Sequence, residues 1–301
     1  MSLDQESVLG APRGLNSSTR AGDAARLVEA LAIELTGEQI DLPSFPDIAV
    51  RVRKALTNDE VEIEHVVRII SAEPALAARL LQLANSAALN LTGKRLTELR
   101  TAISRIGFNM ARSATIAFAM SQLRRAEAYK GLDAPLTELW QHGAHVGALS
   151  HVVAKRFTQV NADTALLAGL LQGVGKLYLL TRAVRYPGLL ADAGAYHPIV
   201  AAWHGRVAQA ILRNWEMDEA VIEAVADAEN LDREHQGTTD LTDVLSVGNT
   251  LATLGPAPCA DDMLFLGMPA ARRMKLDANS CGAALAESHQ QISSLRQALG
   301  T

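Results

Sequence analysis

Residues Ala165–Leu180 read ALLAGLLQGVGKLYLL. An apolar helix of small and aliphatic residues runs up to Gln172-Gly173. Gly175-Lys176 follow, and a second apolar run continues to Leu180. Gly173 and Gly175 cost a helix roughly 1 kcal/mol each, so they are expected where helices pack closely or the chain bends. Gly173 could instead let a phosphate approach the backbone, but packing is the simpler reading. The rest of the chain is read as built around this stretch.

Composition narrows the field. The chain has 301 residues, enough for one large or two modest domains, and 49% of them are apolar. Aromatic residues make up only 4%, while Ala and Leu abound. That balance favours close-packed helices over a β-sandwich. The formal charge of −5 disfavours a nonspecific nucleic-acid binder, which is usually basic. Cys259 and Cys281 suit a reducing compartment and suggest no disulfide framework. Apolar runs such as Ala114–Met120 reach about seven residues, against the roughly 18 that a membrane span needs. The first residues lack a basic start followed by an apolar core, so no secretory signal is expected. A cytoplasmic protein with no membrane contact is the expectation.

The hydrophobic spacing is helical almost throughout. Residues 1–22 are rich in Ser, Gly, Asn and Arg and read as a disordered tail. Leu27, Leu31 and Leu35 mark a short helix within 23–39. Leu42-Pro43-Ser44-Phe45-Pro46 reads as extended chain leading into a helix. Ile63, Val66, Val67 and Ile70 fall at i, i+3, i+4 and i+7. Further stripes follow at Leu76–Ala87, Leu99–Ile106 and Met110–Met120, with Gly107 between the last two. Residues 124–138 read as a hinge. Beyond it, Leu139, His142, Val146, Leu149, Val153 and Phe157 share one helix side. Helices are also expected over Met217–Ala228, Leu241–Leu254 and Ala283–Leu299, with Gly255-Pro256-Ala257-Pro258 breaking the chain. No strand alternation of useful length occurs.

These pieces, taken in order, resemble the HDOD domain family, bacterial relatives of the HD and HD-GYP metal-dependent phosphohydrolases. The likeness is carried by Leu42-Pro43 with Phe45-Pro46, by Glu73-Pro74 in Ile69–Leu76, and by Leu83-Ala84-Asn85-Ser86. It continues through Ala102-Ile103 to Ile106-Gly107, Leu139–His142, and Ala168–Leu171 with Gly175–Leu177. The resemblance implies an all-α, two-lobed fold with an HD-like helical core. It also implies a role in bacterial signalling or regulation, generally without metal-dependent hydrolysis. Active HD relatives carry a His-Asp doublet that anchors metal. Its two positions here are Gln172 and Gly173. His142 matches the first histidine of such sites and His204 a later one. Asp227-Ala228 stand where active relatives carry a His-His pair, and Asn249 stands at a final aspartate.

Each candidate has a bland reading beside the functional one. Gln is a neutral ligand and Gly offers no side-chain donor. Two imidazoles alone make a poor metal site. His142 lies on an apolar stripe and reads first as a hydrogen-bonded core histidine, and His204 likewise. Lys176 reads as a solvated lysine with a packed stem, or as an anion contact. Asn85 and Ser86 read as a helix C-cap, since Asn tolerates the left-handed conformation, with a secondary place at the seam between lobes. Arg100, Arg105, Arg112, the Arg124-Arg125 pair and Arg272-Arg273-Met274-Lys275 read as solvated faces. Trp140 and Trp203 are expected to be largely buried. An aspartate at Gly173 is expected to strain a close helix contact.

The expected organisation is an HDOD domain over 40–235, with a first lobe at about 40–123 and an HD-like lobe at about 136–235. C-terminal helices in 236–301 pack back on the HD-like lobe. The expected function is noncatalytic signalling through protein partners, with no metal and no cofactor. One alternative is a sensor binding a small nucleotide or other anion in the vestigial cleft. A residual phosphohydrolase is the other.

Overall fold

The computed structural model describes residues 17–36, 47–56, 62–90, 93–124, 131–254, 267–276 and 278–299. Every regular element among them is a helix, so the fold is all-α. The lead-in at 42–46 and the break at 255–258 lie outside the described residues.

The first helices form as their spacing dictates. They are α1 (Ser17–Thr36), α2 (Asp47–Leu56), α3 (Ile63–Ser71), α4 (Pro74–Ala84) and α5 (Leu99–Arg124). Pro74 stands in the first turn of α4, where its missing N–H costs nothing. Leu76, Leu80 and Leu83 are fully buried on one face of α4. Gly107 breaks α5 with φ 79° and ψ 165°, a conformation that only glycine adopts freely. Before the break, Arg100 pairs with Glu64 and Arg105 with Asn90. Beyond it, Ser113 donates to the carbonyl of Asp163. Each half of α5 thus meets a different part of the molecule.

The centre is built from α6 (Asp133–Phe157), α7 (Ala162–Leu171), α8 (Val174–Ala183) and α10 (Ala193–Asn214), with the single turn α9 (Pro187–Leu190) between the last two. Asn161 caps α7 by accepting from the Thr164 N–H at 3.0 Å. All of Ala165–Leu171 is buried. Residues Ala162–Ala183 are apolar and long enough to cross a membrane by composition alone, but 78% of the apolar window is buried in the fold. The stretch is also two helices, turned at Gln172-Gly173.

Glycines set the distances between these helices. A Cβ on Gly169 would stand 2.4 Å from the Cα of Gly147, so α6 and α7 cross backbone to backbone. A Cβ on Gly175 would stand 2.0 Å from the His204 carbonyl oxygen, which brings α8 onto α10. Gly175 is therefore a packing glycine. Gly173 is not: its φ is −83°, and the nearest atom to an added Cβ is the Leu139 carbonyl oxygen at 4.0 Å. A Cβ at 173 therefore meets no close backbone, contrary to the expected strain.

Helices α11 (Glu219–Asp227) and α12 (Leu241–Leu254) close the core. The C-terminal segment, read as one helix over 283–299, is two among the described residues. These are α14 (Ala278–Glu287) and α15 (His289–Leu299), preceded by the short α13 (Pro269–Arg273). The buried Ser288 begins α15 by accepting from the Ile292 N–H. This last helix touches α4 as well as α6. Arg79 donates to the Ala298 carbonyl at 3.0 Å, and Ser294 Oγ accepts from the Ala88 N–H at 3.2 Å.

The N-terminal helix is longer than the 23–39 reading. It starts at Ser17, inside the segment expected to be disordered, and ends at Thr36. Leu27 and Leu31 are buried, and α1 lies on α9 and α10. Glu34 receives the Tyr178 hydroxyl and stands 3.4 Å from the Arg182 guanidinium.

Candidate functional site

The HD-like core opens on a cleft of about 310 Å³ lined by His142, Lys176, Glu229, Asn249, Thr250 and Thr253 among others. Four elements supply these groups. His142 comes from α6, Lys176 from the first turns of α8, and Asn249 from α12. Glu229 sits just past the end of α11.

The cleft is internally paired. His142 Nε2 and Asn249 Oδ1 are 3.0 Å apart, which makes the Nε2–H the donor. Lys176 Nζ donates to Glu229 Oε1 at 2.5 Å, and His204 Nε2 lies 3.1 Å from Glu229 Oε2. Both oxygens of the one carboxylate are thereby engaged. Burial disfavours the charged Glu229, but the hydrogen bonds from His204 and Lys176 outweigh it and hold the carboxyl at about 2. Burial also keeps the His142 imidazole below its ordinary value. The Asn249 bond opposes that shift and the Lys176 charge reinforces it.

These residues do not fit a resident metal ion. The carboxylate is already neutralised by an ammonium, which occupies the position of a cation. His142 is held by a neutral amide. Glycine at 173 supplies no donor. A hydrolytic metal needs several firm ligands and an open position, and here the polar atoms bond one another.

Several sequence-based expectations change with the geometry. Gln172 is buried at the turn between α7 and α8, and neither Gln172 nor Gly173 lines the cleft. Gly173 instead borders a small apolar pocket with Trp140, Leu139 and Met120. His204 reaches the cleft through Glu229. Lys176 is an ion-pair partner, not a solvated lysine. At the α11 end, the residue that faces the cleft is Glu229. Asp227 turns to Arg233 at 3.3 Å, and Ala228 is buried. Asn249 lines the cleft opposite His142.

Asn85 does cap α4, but in right-handed backbone with φ −95°. Its amide donates to the carbonyls of Leu81 and Leu96, both at 2.8 Å, and its Oδ1 accepts from the Leu96 N–H at 2.7 Å. It therefore clamps the segment after α4 within the first lobe. Ser86 beside it is buried. Trp140 is buried as expected. Trp203 is only half-buried, with the Arg206 guanidinium 5.7 Å from its ring. Arg112 pairs with Asp218.

One polar cluster was not read from the sequence. Asp243, 1% exposed, accepts from Arg273 at 2.8 Å and lies 3.0 Å from His235 Nε2. Arg233 bridges it to Asp240, with distances of 3.4 and 2.7 Å. Asp240 and Asp243 also cap α12 reciprocally through their backbone N–H groups. His235, Asp240 and Asp243 hold ligand-type atoms within 4.8 Å of one another. Two guanidinium groups already balance those carboxylates, which makes the cluster a staple between α12 and α13.

The all-helical fold and the cleft between its central helices together define a helical HD-like domain. The chain belongs to the HDOD domain family, whose model matches residues 42–231. Its fold is similar to that of a Shewanella amazonensis protein provisionally assigned to the metal-dependent phosphohydrolases. That match has 21% identity and a TM-score of 0.72, covering 92% of this chain and 99% of the other. An HDOD domain protein of unknown function from Geobacter sulfurreducens matches with 20% identity and a TM-score of 0.63, over 94% and 98%. A Marinobacter aquaeolei protein, provisionally a signal transduction protein, matches with 18% identity and a TM-score of 0.60, over 96% and 68%. An uncharacterized protein of Treponema pallidum is 24% identical over 218 residues, 67% of this chain, and this chain spans 40% of that relative's length.

Proposed function

We propose that this chain is a noncatalytic regulatory protein of bacterial signalling, cytoplasmic, and acting through contacts with protein partners. The observation that carries the reading is the Lys176–Glu229 pair at 2.5 Å. It places a fixed ammonium against the carboxylate that would otherwise serve a metal. With His142 bonded to Asn249 and Gly173 turned to an apolar pocket, the imidazole and the carboxylate among the described lining residues of the cleft are both already engaged. Family membership and the likeness to a protein provisionally placed in signal transduction agree with a regulatory role.

The sensor alternative is weakened by the same pair, because an anion entering the cleft must compete with Glu229 for Lys176. Hydrolysis assays on the full chain test the proposal, using phosphomonoesters and cyclic dinucleotides with added Mg²⁺, Mn²⁺ or Fe²⁺. No turnover above a protein-free control is expected. Turnover that EDTA abolishes would contradict it. A thermal-shift series with nucleotides separates sensor from adaptor: a saturable stabilisation favours the sensor.

A further inference from the structure

A groove of about 940 Å³ runs between the first lobe and the last helix, and it shares no lining residue with the HD-like cleft. The volume is within the roughly 300–1,000 Å³ typical of small-molecule sites. One wall is α4 at Ala78 and Gln82, a second comes from within residues 85–90 and 93–97, and the third is α15. These walls are pinned to one another. Asn85 bonds both backbone groups of Leu96, the Ala88 N–H donates to Ser294 Oγ, and Arg79 holds the Ala298 carbonyl. A groove held in this way needs little ordering to receive a ligand.

Two observations point to what it receives. Arg95 lines the groove and is exposed, and among the described residues no ion pair or hydrogen bond engages its guanidinium. Lys94 beside it is exposed as well. No Asp or Glu among the described residues lines the groove, in a chain whose net charge is −5. Ser86, 8% exposed, lines it too, and its buried Oγ has no hydrogen-bond partner. A buried hydroxyl is normally bonded, so this one is an open position for a ligand oxygen.

We propose that this groove binds a small polyhydroxylated phosphate ester, of the sugar phosphate class. The Arg95 guanidinium offers the planar fork that a phosphate matches, and the charge of Lys94 beside it suits a dianion. Gln82, Thr97 and Gln297 are exposed in the lining. Their amides and hydroxyl both donate and accept, as the hydroxyls of a sugar do. Among the described residues no aromatic side chain lines the groove, so a nucleobase has no ring to stack on. The Trp and Tyr anchors that dominate protein docking sites are missing from it for the same reason. The inference does not depend on whether the HD-like cleft is catalytically silent.

Calorimetric titration of the full chain with glucose 6-phosphate, ribose 5-phosphate and glycerol 3-phosphate tests the proposal. At least one of these esters is expected to fill a single saturable site per chain. Glucose and inorganic phosphate, which each carry half of the recognised chemistry, should bind more weakly than that ester. Arg95 is exposed, so Arg95→Gln should fold normally and weaken the ester by about tenfold or more, the loss of one charge-assisted bond. Ala78 is an exposed position of α4 at the groove, and Ala78→Trp should abolish binding by filling it. Ser86→Ala should weaken binding without lowering the melting temperature, because it deletes a hydroxyl that has no partner. Absence of saturable binding by all three esters would overturn the proposal, and so would binding unchanged by Arg95→Gln. Tighter binding of AMP or of hexaglutamate, lost in Ala78→Trp, would overturn it in favour of a nucleotide or an acidic peptide.

Discussion

Lys176 Nζ stands 2.5 Å from Glu229 Oε1, across 53 residues of sequence. A charge-assisted bond of this length joins α8 to the end of α11 and places an ammonium in the HD-like cleft. Replacing Lys176 by Met should raise the Glu229 carboxyl from about 2 towards its ordinary value of 4.5. The carboxyl is depressed in the folded state. The pair therefore stabilises the fold fully above about pH 4.5, and loses that contribution as pH falls towards 2. Side-chain exposures of 27% and 33% mean that water screens the pair. The stability cost at pH 7 should therefore be about 1 kcal/mol. Carboxyl NMR titration of both proteins reads the shift, and urea melts read the cost.

Gly169 and Gly173 should respond oppositely to the same substitution. Gly169→Ala drives a methyl to 2.4 Å from the Gly147 backbone. It should cost about 3 kcal/mol or more, since α6 and α7 must separate. Gly173→Ala has room and an ordinary φ. It should be neutral, or stabilise by about 0.4–1 kcal/mol through the unfolded chain. Denaturant midpoints of the two variants check the contrast.

Stability should fall as pH drops from about 6.5 to about 4. Burial holds both His145 and His151 at about 4, against an ordinary value of 6.5. His151 is 5% exposed and bonds the Ala162 carbonyl at 3.1 Å. In that window the unfolded chain binds protons that the folded chain refuses, so acid favours unfolding. Melting temperature followed across the window should decline, and His151→Phe should flatten part of the decline.

Arg273→Ala should destabilise by about 1–3 kcal/mol. It removes the 2.8 Å partner of a carboxylate that is 1% exposed, and leaves the buried charge with Arg233 at 3.4 Å and His235 at 3.0 Å. The double variant Arg273→Ala with Asp243→Ala should recover part of the loss, because the partly compensated charge goes too. A thermal double-mutant cycle measures the recovery.

Trp140→Ala should cost about 3–5 kcal/mol, because its ring is buried and the cavity left behind adds to the lost transfer energy. Trp203→Ala should cost less, since its ring is half-exposed beside Arg206. Chemical denaturation of the two variants orders them.

Helix periodicity made most of the fold legible, because buried faces such as Leu76–Leu80–Leu83 repeat at helical spacing. Leu241–Leu254 is helical throughout, as its spacing predicts. The site was legible only where the resemblance reached it. His142 and Asn249, singled out on that ground, do line the cleft, whereas Gln172 and Gly173 do not. Glu229 was missed because it follows the last turn of α11, where periodicity carries no information. Its partners lie 25 and 53 residues away. The Asp243 staple was missed although Asp240-Leu241-Thr242-Asp243 carries a capping-box spacing. Its two arginines come from segments that only the tertiary fold brings together.

The central claim is that an internal lysine, and not a metal ion, balances the charge in the HD-like cleft. Elemental analysis of the purified full chain after equilibration with Zn²⁺, Mn²⁺, Fe²⁺ and Mg²⁺ tests it most directly. The Gln172→His with Gly173→Asp double variant is measured alongside. Neither position lines the cleft, and Lys176 remains paired with Glu229. Both proteins should therefore retain far less than one metal per chain after desalting. One tightly held metal per unmodified chain, lost on Glu229→Gln, would contradict the account.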